Sequence, residues 1–147
     1  MNRTYKNIFV SGPITPTFIA ESIQKHQTKT GIGGHSIFLG QIRADQKPEG
    51  VVEAIEYTAY ESMVLEQAHR IREEIFLKYP LHCMHIHHSL GLVPVGEICL
   101  FVFTSSTHRH DAIKACEELV ERIKKELPIW GREICSGGPS RWKENQP

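Results

Sequence analysis

Apolar residues along this chain recur at two periods, and the changes between them divide it into short elements. Tyr5 to Val10 reads as a short strand. Thr15 and Pro16 then open a helix that carries Phe18, Ile19 and Ile23 on one side and ends before Gly31. Threonine caps a helix N-terminus through its hydroxyl, and proline suits the first helical position because the missing N–H is unpaired there anyway. His35 to Ile42 (HSIFLGQI) and Val51 to Ala59 (VVEAIEYTA) are β-rich runs on either side of the polar loop RADQKPEG. They are predicted to pair antiparallel, leaving Arg43 at a strand exit. Tyr60 to Lys78 places Met63, Ala68, Ile71, Ile75 and Phe76 at helical spacing and stops at Pro80. Leu81 to His88 and Glu97 to Thr104 are two further strands separated by SLGLVPVG, the second apolar enough to lie centrally in a sheet. A third helix follows at once. Beyond Trp130, REICSGGPSRWK reads as two short extended pieces around a Gly-Gly-Pro turn, and Glu144 to Pro147 should fray. The predicted fold is α+β, a single domain over 1–147 with three main helices, a mixed or antiparallel sheet and a short C-terminal β extension.

The third helix is the most informative element. It opens just after His108 and Arg109, carries Lys124 and Lys125 in its last turn, and is ended by Pro128 ahead of Trp130 and Arg132. At about 100° per residue, Ala112, Ile113, Cys116, Leu119, Val120, Ile123 and Leu127 share an arc roughly 120° wide. Lys124 lies about 80° from the centre of that arc and Lys125 about 180° from it. A lysine at the border of an apolar face can bury its stem and aim its amine into a cleft, whereas Lys125 should be solvated. The layout reads as an anion site for a phosphorylated or carboxylate substrate. It is equally what lysines complementing the helix dipole and an incidental His-Arg pair would give.

Composition narrows the partners. Lys plus Arg and Asp plus Glu are 17 each, so no basic field for nucleic acid exists and any anion site must be local. The N-terminus lacks a signal-peptide core and no segment is long and apolar enough to span a membrane, which makes a cytoplasmic location the expectation. Cys83, Cys99, Cys116 and Cys135 form no C-x-x-C pair and read as buried thiols in a reducing compartment. In HCMHIHH, Cys83, His85 and His87 would share one strand face, which invites a metal reading. Neighbouring side chains on one strand fill only part of a tetrahedral shell and no second ligand cluster is evident, so no metal is expected. Tyr57 and Tyr60 fit packing better than substrate contact. Trp130 fits equally a pocket wall or a packing anchor, and Gly137-Gly138 fits a plain turn.

Five ordered motifs resemble the large, catalytic subunit of molybdopterin synthase: G-x-x-R at Gly40 to Arg43, IEYTAYESM at Ile55 to Met63, G-x-x-x-x-G-E at Gly91 to Glu97, S-x-H-R at Ser106 to Arg109, and K-x-x-x-P-I-W at Lys124 to Trp130. The resemblance implies an α/β hammerhead fold and a homodimer that binds a small ubiquitin-like sulfur carrier at each end, giving a heterotetramer. It implies that the carrier's C-terminal Gly-Gly thiocarboxylate enters a pocket and gives its sulfur to cyclic pyranopterin monophosphate, two transfers building the dithiolene of molybdopterin, with no cofactor. By position, Lys124 matches the lysine beside the thiocarboxylate and Gln41, Ile42 and Arg43 match the substrate-contacting strand exit. His108 and Arg109 match a pair reaching the pterin phosphate from the neighbouring protomer, and Arg132 and Glu133 match the end of the tryptophan motif. Two positions depart from the family pattern. Gly131 stands where a second lysine commonly follows the tryptophan, and His88-Ser89 stands where His-Arg is usual. Arg132 and His87 are the nearest substitutes for the missing cations. A paralogue that binds the carrier as a regulatory or scaffold module without turnover is the alternative reading.

Overall fold

The computed structural model describes residues 5–137 together with the backbone of 141–142. In chain order its elements are β1 (Phe9–Ser11), α1 (Pro16–His26), β2 (Gly34–Gln41), β3 (Gln46–Lys47), β4 (Gly50–Ala59), α2 (Glu61–Lys78), β5 (Leu81–Pro94), β6 (Ile98–Ser106), α3 (Arg109–Glu126), β7 (Ile129–Cys135) and β8 (Arg141–Trp142). The predicted cap is present, with Thr15 Oγ1 accepting the Phe18 N–H at 3.1 Å and Pro16 at the first helical position. The fold is α+β, and the sheet is mixed because β1 runs parallel to β5 while the other pairings are antiparallel.

Strand order is β2-β6-β5-β4-β7-β8, with β1 added against β5 and β3 against β4. The predicted pairing of the second and third extended runs is therefore incorrect: β2 pairs with β6, and β4 lies between β5 and β7. The loop between them is not a hairpin turn. It carries β3, which folds back on β4 and leaves β2 free to edge the sheet. β5 is also longer than its sequence suggests. Its first half pairs with β6, it continues through SLGLVP, and its end pairs with β4. Gly91, at φ 85°, supplies a left-handed residue where β5 changes partner.

β6 is covered on both faces, which explains its almost unbroken apolar run. Leu100 and Val102 join the main core beneath α2 and α3, where Val64, Ile71, Ile75, Leu119 and Ile123 are buried. Phe101 and Phe103 face the other way, into a smaller core with Ile14 and the α1 residues Phe18, Ile19 and Ile23. The same alternation splits β5: Met84 and Ile86 enter the main core, while His85 and His87 pack against the Phe101 and Phe103 side.

Two predicted core residues are exposed, Met63 at 42% and Ile113 at 52%. In α3 the buried set is Ala112, Ala115, Cys116, Leu119, Val120 and Ile123. Including Ala115 turns the centre of the buried arc by about 30°, which carries Ile113 out of it. All four cysteines are free and buried. β7 pairs antiparallel with β8, as expected for two extended tail pieces. Gly138 of the predicted turn, and the fraying expected at 144–147, lie outside the described residues.

Candidate functional site

Two concave sites lie at opposite ends of α3. At its C-terminal end is a narrow cavity of about 50 Å³. Ile123, Lys124 and Leu127 come to it from α3 and the turn after it, His88 from β5, Cys99 and Leu100 from β6, Tyr57 from β4, and Ile129 and Gly131 from β7. Apolar walls with one exposed amine at the rim are what the helical phase predicts for Lys124. Lys125 points away and sits 3.9 Å from Glu121 one turn back, a solvated pair.

The polar floor of this cavity comes from residues outside the site set expected from sequence. The Tyr57 hydroxyl donates to Cys99 Sγ at 3.6 Å, and its ring packs edge-on to His88 with centroids 5.0 Å apart. Burial, together with Cys99 and Glu133, holds the phenol above its usual pKa, so it stays a neutral donor. His88 Nδ1 lies 2.8 Å from the Ser89 carbonyl and donates to it, which leaves Nε2 without a proton. Burial pushes the His88 pKa down to about 4, opposed by that hydrogen bond and reinforced by the Lys124 charge. The signal for His88 was strand parity: an even position of β5 falls on the α3 face.

The depressed His88 pKa has a measurable consequence. Between the folded value of about 4 and the unfolded value of 6.5 the unfolded chain binds the extra proton. The stabilisation is complete above the unfolded value and is lost as pH falls toward the folded one. Tyr57, Cys99 and Lys124 face the ring from the cavity, and Glu133, whose charge acts on Tyr57, lies on the same face of β7 as Gly131. From about pH 7.5 to about pH 5 this residue should remove about 2 kcal/mol of unfolding free energy. Urea denaturation of the wild type and of His88→Gln at both pH values checks this: the variant's stability should fall less on acidification.

The strand exit expected to touch substrate flanks the same cavity. The Cys99 thiol contacts the Gly40 carbonyl at 3.5 Å, which sets the end of β2 against the cavity wall. Gln41 is exposed and Ile42 is buried, its backbone tied to Glu97 and Gly96. Arg43 extends into solvent and pairs with Asp45 at 3.2 Å. Gly131 and Glu133 share the inner face of β7, Glu133 being 2% exposed with Lys47 Nζ 3.9 Å from its carboxylate. Arg132 alternates to the outer face and pairs at 2.5 Å with Glu56, its cross-strand neighbour. Its guanidinium does not line the cavity, and neither does His87, on the opposite face of β5 from His88. Trp130 is 52% exposed and forms no part of the wall.

At the other end of α3 is an open groove of about 670 Å³ that gathers His108, Arg109, His110 and Lys114 beside Ile113 and Glu117. His108 is the N-cap residue, but the capping hydroxyl belongs to Ser106, which accepts the Ala112 N–H at 3.0 Å and donates to the His108 carbonyl. Gly33 seals this turn: a Cβ there would lie 2.1 Å from the Thr107 carbonyl oxygen. Backbone cannot yield as a flexible side chain can, so Gly33→Ala should destabilise the fold by about 1–3 kcal/mol. A thermal melt checks this, and an unchanged midpoint would show that the close approach is not enforced. Arg109 and Lys124 are separated by fifteen positions of one helix, about 22 Å at 1.5 Å per residue. The two cationic ends therefore do not meet within one chain.

Fold and sites define an α+β protein with a lysine at the mouth of an interior cavity and a cationic groove at the far end of the same helix. The chain belongs to the MoaE protein family, whose model matches residues 13–126. It is 36% identical over 111 residues to the molybdopterin synthase catalytic subunit of Pyrococcus abyssi, a match covering 76% of this chain and 74% of that one. Catalytic subunit 1 of Aedes aegypti is 37% identical over 117 residues, 78% of this chain and 75% of its own. The longer Drosophila willistoni subunit is matched over only 32% of its length. Among solved structures, molybdopterin synthase from Staphylococcus aureus superposes with TM-score 0.79 at 32% identity, covering 92% of this chain and 95% of that one. The complex of subunits 1 and 2 of molybdopterin-converting factor from Helicobacter pylori shares the fold, with TM-score 0.78 at 16% identity. No described helix is long and apolar enough to cross a membrane.

Proposed function

We propose that this chain is a molybdopterin synthase catalytic subunit that moves sulfur from the thiocarboxylated Gly-Gly tail of a small carrier protein to cyclic pyranopterin monophosphate. The observation that carries this reading is the narrow cavity with Lys124 at its rim. An extended Gly-Gly tail has no side chains to exclude, so it suits a slot too narrow for most peptides. At its end the Lys124 ammonium can pair with the thiocarboxylate and stabilise charge as the sulfur leaves. Gln41, Ile42 and Arg43 stand beside the same wall as substrate contacts, Gly131 lines it with Glu133 two positions along the same face of β7, and Arg132 braces β7 against β4. His108 and Arg109, about 22 Å from Lys124, can touch the same pterin only from a second copy of the chain, which is the reason for a homodimer with one carrier at each end. Guanidinium suits the pterin phosphate because its planar fork donates two hydrogen bonds.

Gly131 favours a second reading, a module that binds the carrier without turnover, since it leaves Lys124 without the neighbouring amine usual in the family. One reconstitution separates the two. The purified chain, a thiocarboxylated carrier and the pterin precursor should yield molybdopterin if the first reading holds. Tight carrier binding with no product would establish the second.

A further inference from the structure

The run HCMHIHH was expected to hold no metal because strand neighbours alone give an incomplete ligand set. The tertiary structure supplies the missing member from another element. His26, in the last turn of α1, is carried over β5, so that its Nε2 lies 2.9 Å from His85 Nε2, and Cys83 Sγ completes a group whose ligand atoms all lie within 4.8 Å of one another. His26 and Cys83 are buried, at 8% and 5% exposure. We propose that His26, Cys83 and His85 form a site for a borderline-soft divalent cation, zinc, which pins α1 to β5.

The donor set and the hydrogen bond that orients His26 support this, against the charges of Lys6, Lys29 and Arg72 nearby. Two imidazole nitrogens and one thiolate are ligands that zinc accepts in tetrahedral sites. Tetrahedral coordination would set the two nitrogens roughly 3.3 Å apart, a small opening from the 2.9 Å observed. His26 Nδ1 is 2.7 Å from the Ser22 carbonyl and donates to it, which fixes the ring and aims the Nε2 lone pair into the group. A metal-ligating histidine is held in the same way by its second nitrogen. Lys29 Nζ donates to Cys83 Sγ at 2.9 Å, a contact that can persist once the sulfur binds a metal.

Without metal these groups close a hydrogen-bond chain: Lys6 donates to His85 Nδ1 at 3.0 Å, His85 Nε2–H donates to His26 Nε2, and His26 donates to Ser22. Zinc binding forms two N–Zn bonds and one S–Zn bond and leaves the fourth position to water. The His85 proton moves from Nε2 to Nδ1, Lys6 swings outward, and the Cys83 thiol proton goes to solvent. The site faces α1, whereas His88, three residues along the same strand, faces the Lys124 cavity. It is thus separate from the proposed reaction centre and stands whether or not sulfur transfer is confirmed.

Equilibrium dialysis of the tag-free, reduced full chain against zinc, and titration with cobalt, test the site. One zinc per chain, visible bands of tetrahedral cobalt and a thiolate-to-cobalt charge-transfer band are expected. Cys83→Ser should remove the charge-transfer band, and His26→Gln should weaken zinc binding at least about tenfold, the usual cost of losing one ligand or its support. His110→Gln, on the far groove, should leave zinc binding unchanged. Zinc should raise the thermal midpoint of the wild type but not of His26→Gln, provided both fold by circular dichroism. Absence of zinc binding would overturn the proposal, as would binding indifferent to His26 or lost equally in His110→Gln. Should His26→Gln fail to fold, the cobalt charge-transfer band and its dependence on Cys83 decide the matter.

Discussion

Replacing Lys124 by alanine should cut molybdopterin formation by at least about 10²-fold, while Lys125→Ala leaves it within about twofold, because a positioned acid, base or charge contributes on that scale and a solvated lysine does not. The contrast rests on phase. Lys124 stands at the rim of the cavity beside Ile123 and Leu127, and Lys125 is one helical step further round, paired with Glu121. Both lysines occupy the last turn and complement the helix dipole alike, so a purely structural role predicts equal and small losses. Single-turnover assays with thiocarboxylated carrier, alongside circular dichroism to confirm folding, decide between them. Lys124→Arg sharpens the result: it keeps the charge but is a poor proton donor, so its retention of rate would point to charge stabilisation and its loss to proton transfer. Equal losses from Lys124→Ala and Lys125→Ala would sink the assignment.

Gly131→Ala should lower the thermal midpoint by several degrees, and Gly131→Lys by more. A Cβ at this position would lie 2.8 Å from Ile55 Cγ2 and 3.1 Å from Tyr57 Cε1. Overpacking of this kind costs about 1–3 kcal/mol, which for a chain of this size is roughly 3–10 °C. Gly131 is therefore more than a missing cation, because its absent side chain is the space that the Tyr57 ring occupies beside His88. Restoring a lysine here by a single substitution would disturb the cavity it is meant to complete, so failure of Gly131→Lys to raise activity would not by itself favour the non-catalytic reading. A double-mutant cycle isolates the contact: in an Ile55→Ala background the added cost of Gly131→Ala should shrink markedly. A midpoint unmoved by Gly131→Ala would mean that the neighbours give way freely.

Local pattern carried much of this protein. Thr15 and Pro16 announced α1, Pro80 and Pro128 ended α2 and the turn after α3, and the helical phase separated Lys124 from Lys125 without reference to any other element. Each of these depends on neighbours within one or two turns. The strand partners were not legible. β2 and β4 looked like a hairpin because they are adjacent in sequence, yet register depends on which faces need covering, and β2 finds its cover along β6. The length of β5 was hidden for a related reason: SLGLVP has the composition of a loop, but Gly91 turns it from one partner strand to the next.

The candidate sites divide along the same line. Local periods alone place cations at both ends of one amphipathic helix and a cysteine and two histidines on one face of β5, because a fixed rise and a fixed side-chain period settle such relations inside one element. It takes the packing of separate elements to floor the cavity below Lys124 with Tyr57, His88 and Cys99, to turn Arg132 away to Glu56, and to bring His26 from α1 onto Cys83 and His85. Those encounters join residues far apart in the chain, and they follow from the burial of two cores on opposite faces of one sheet, which no local period encodes.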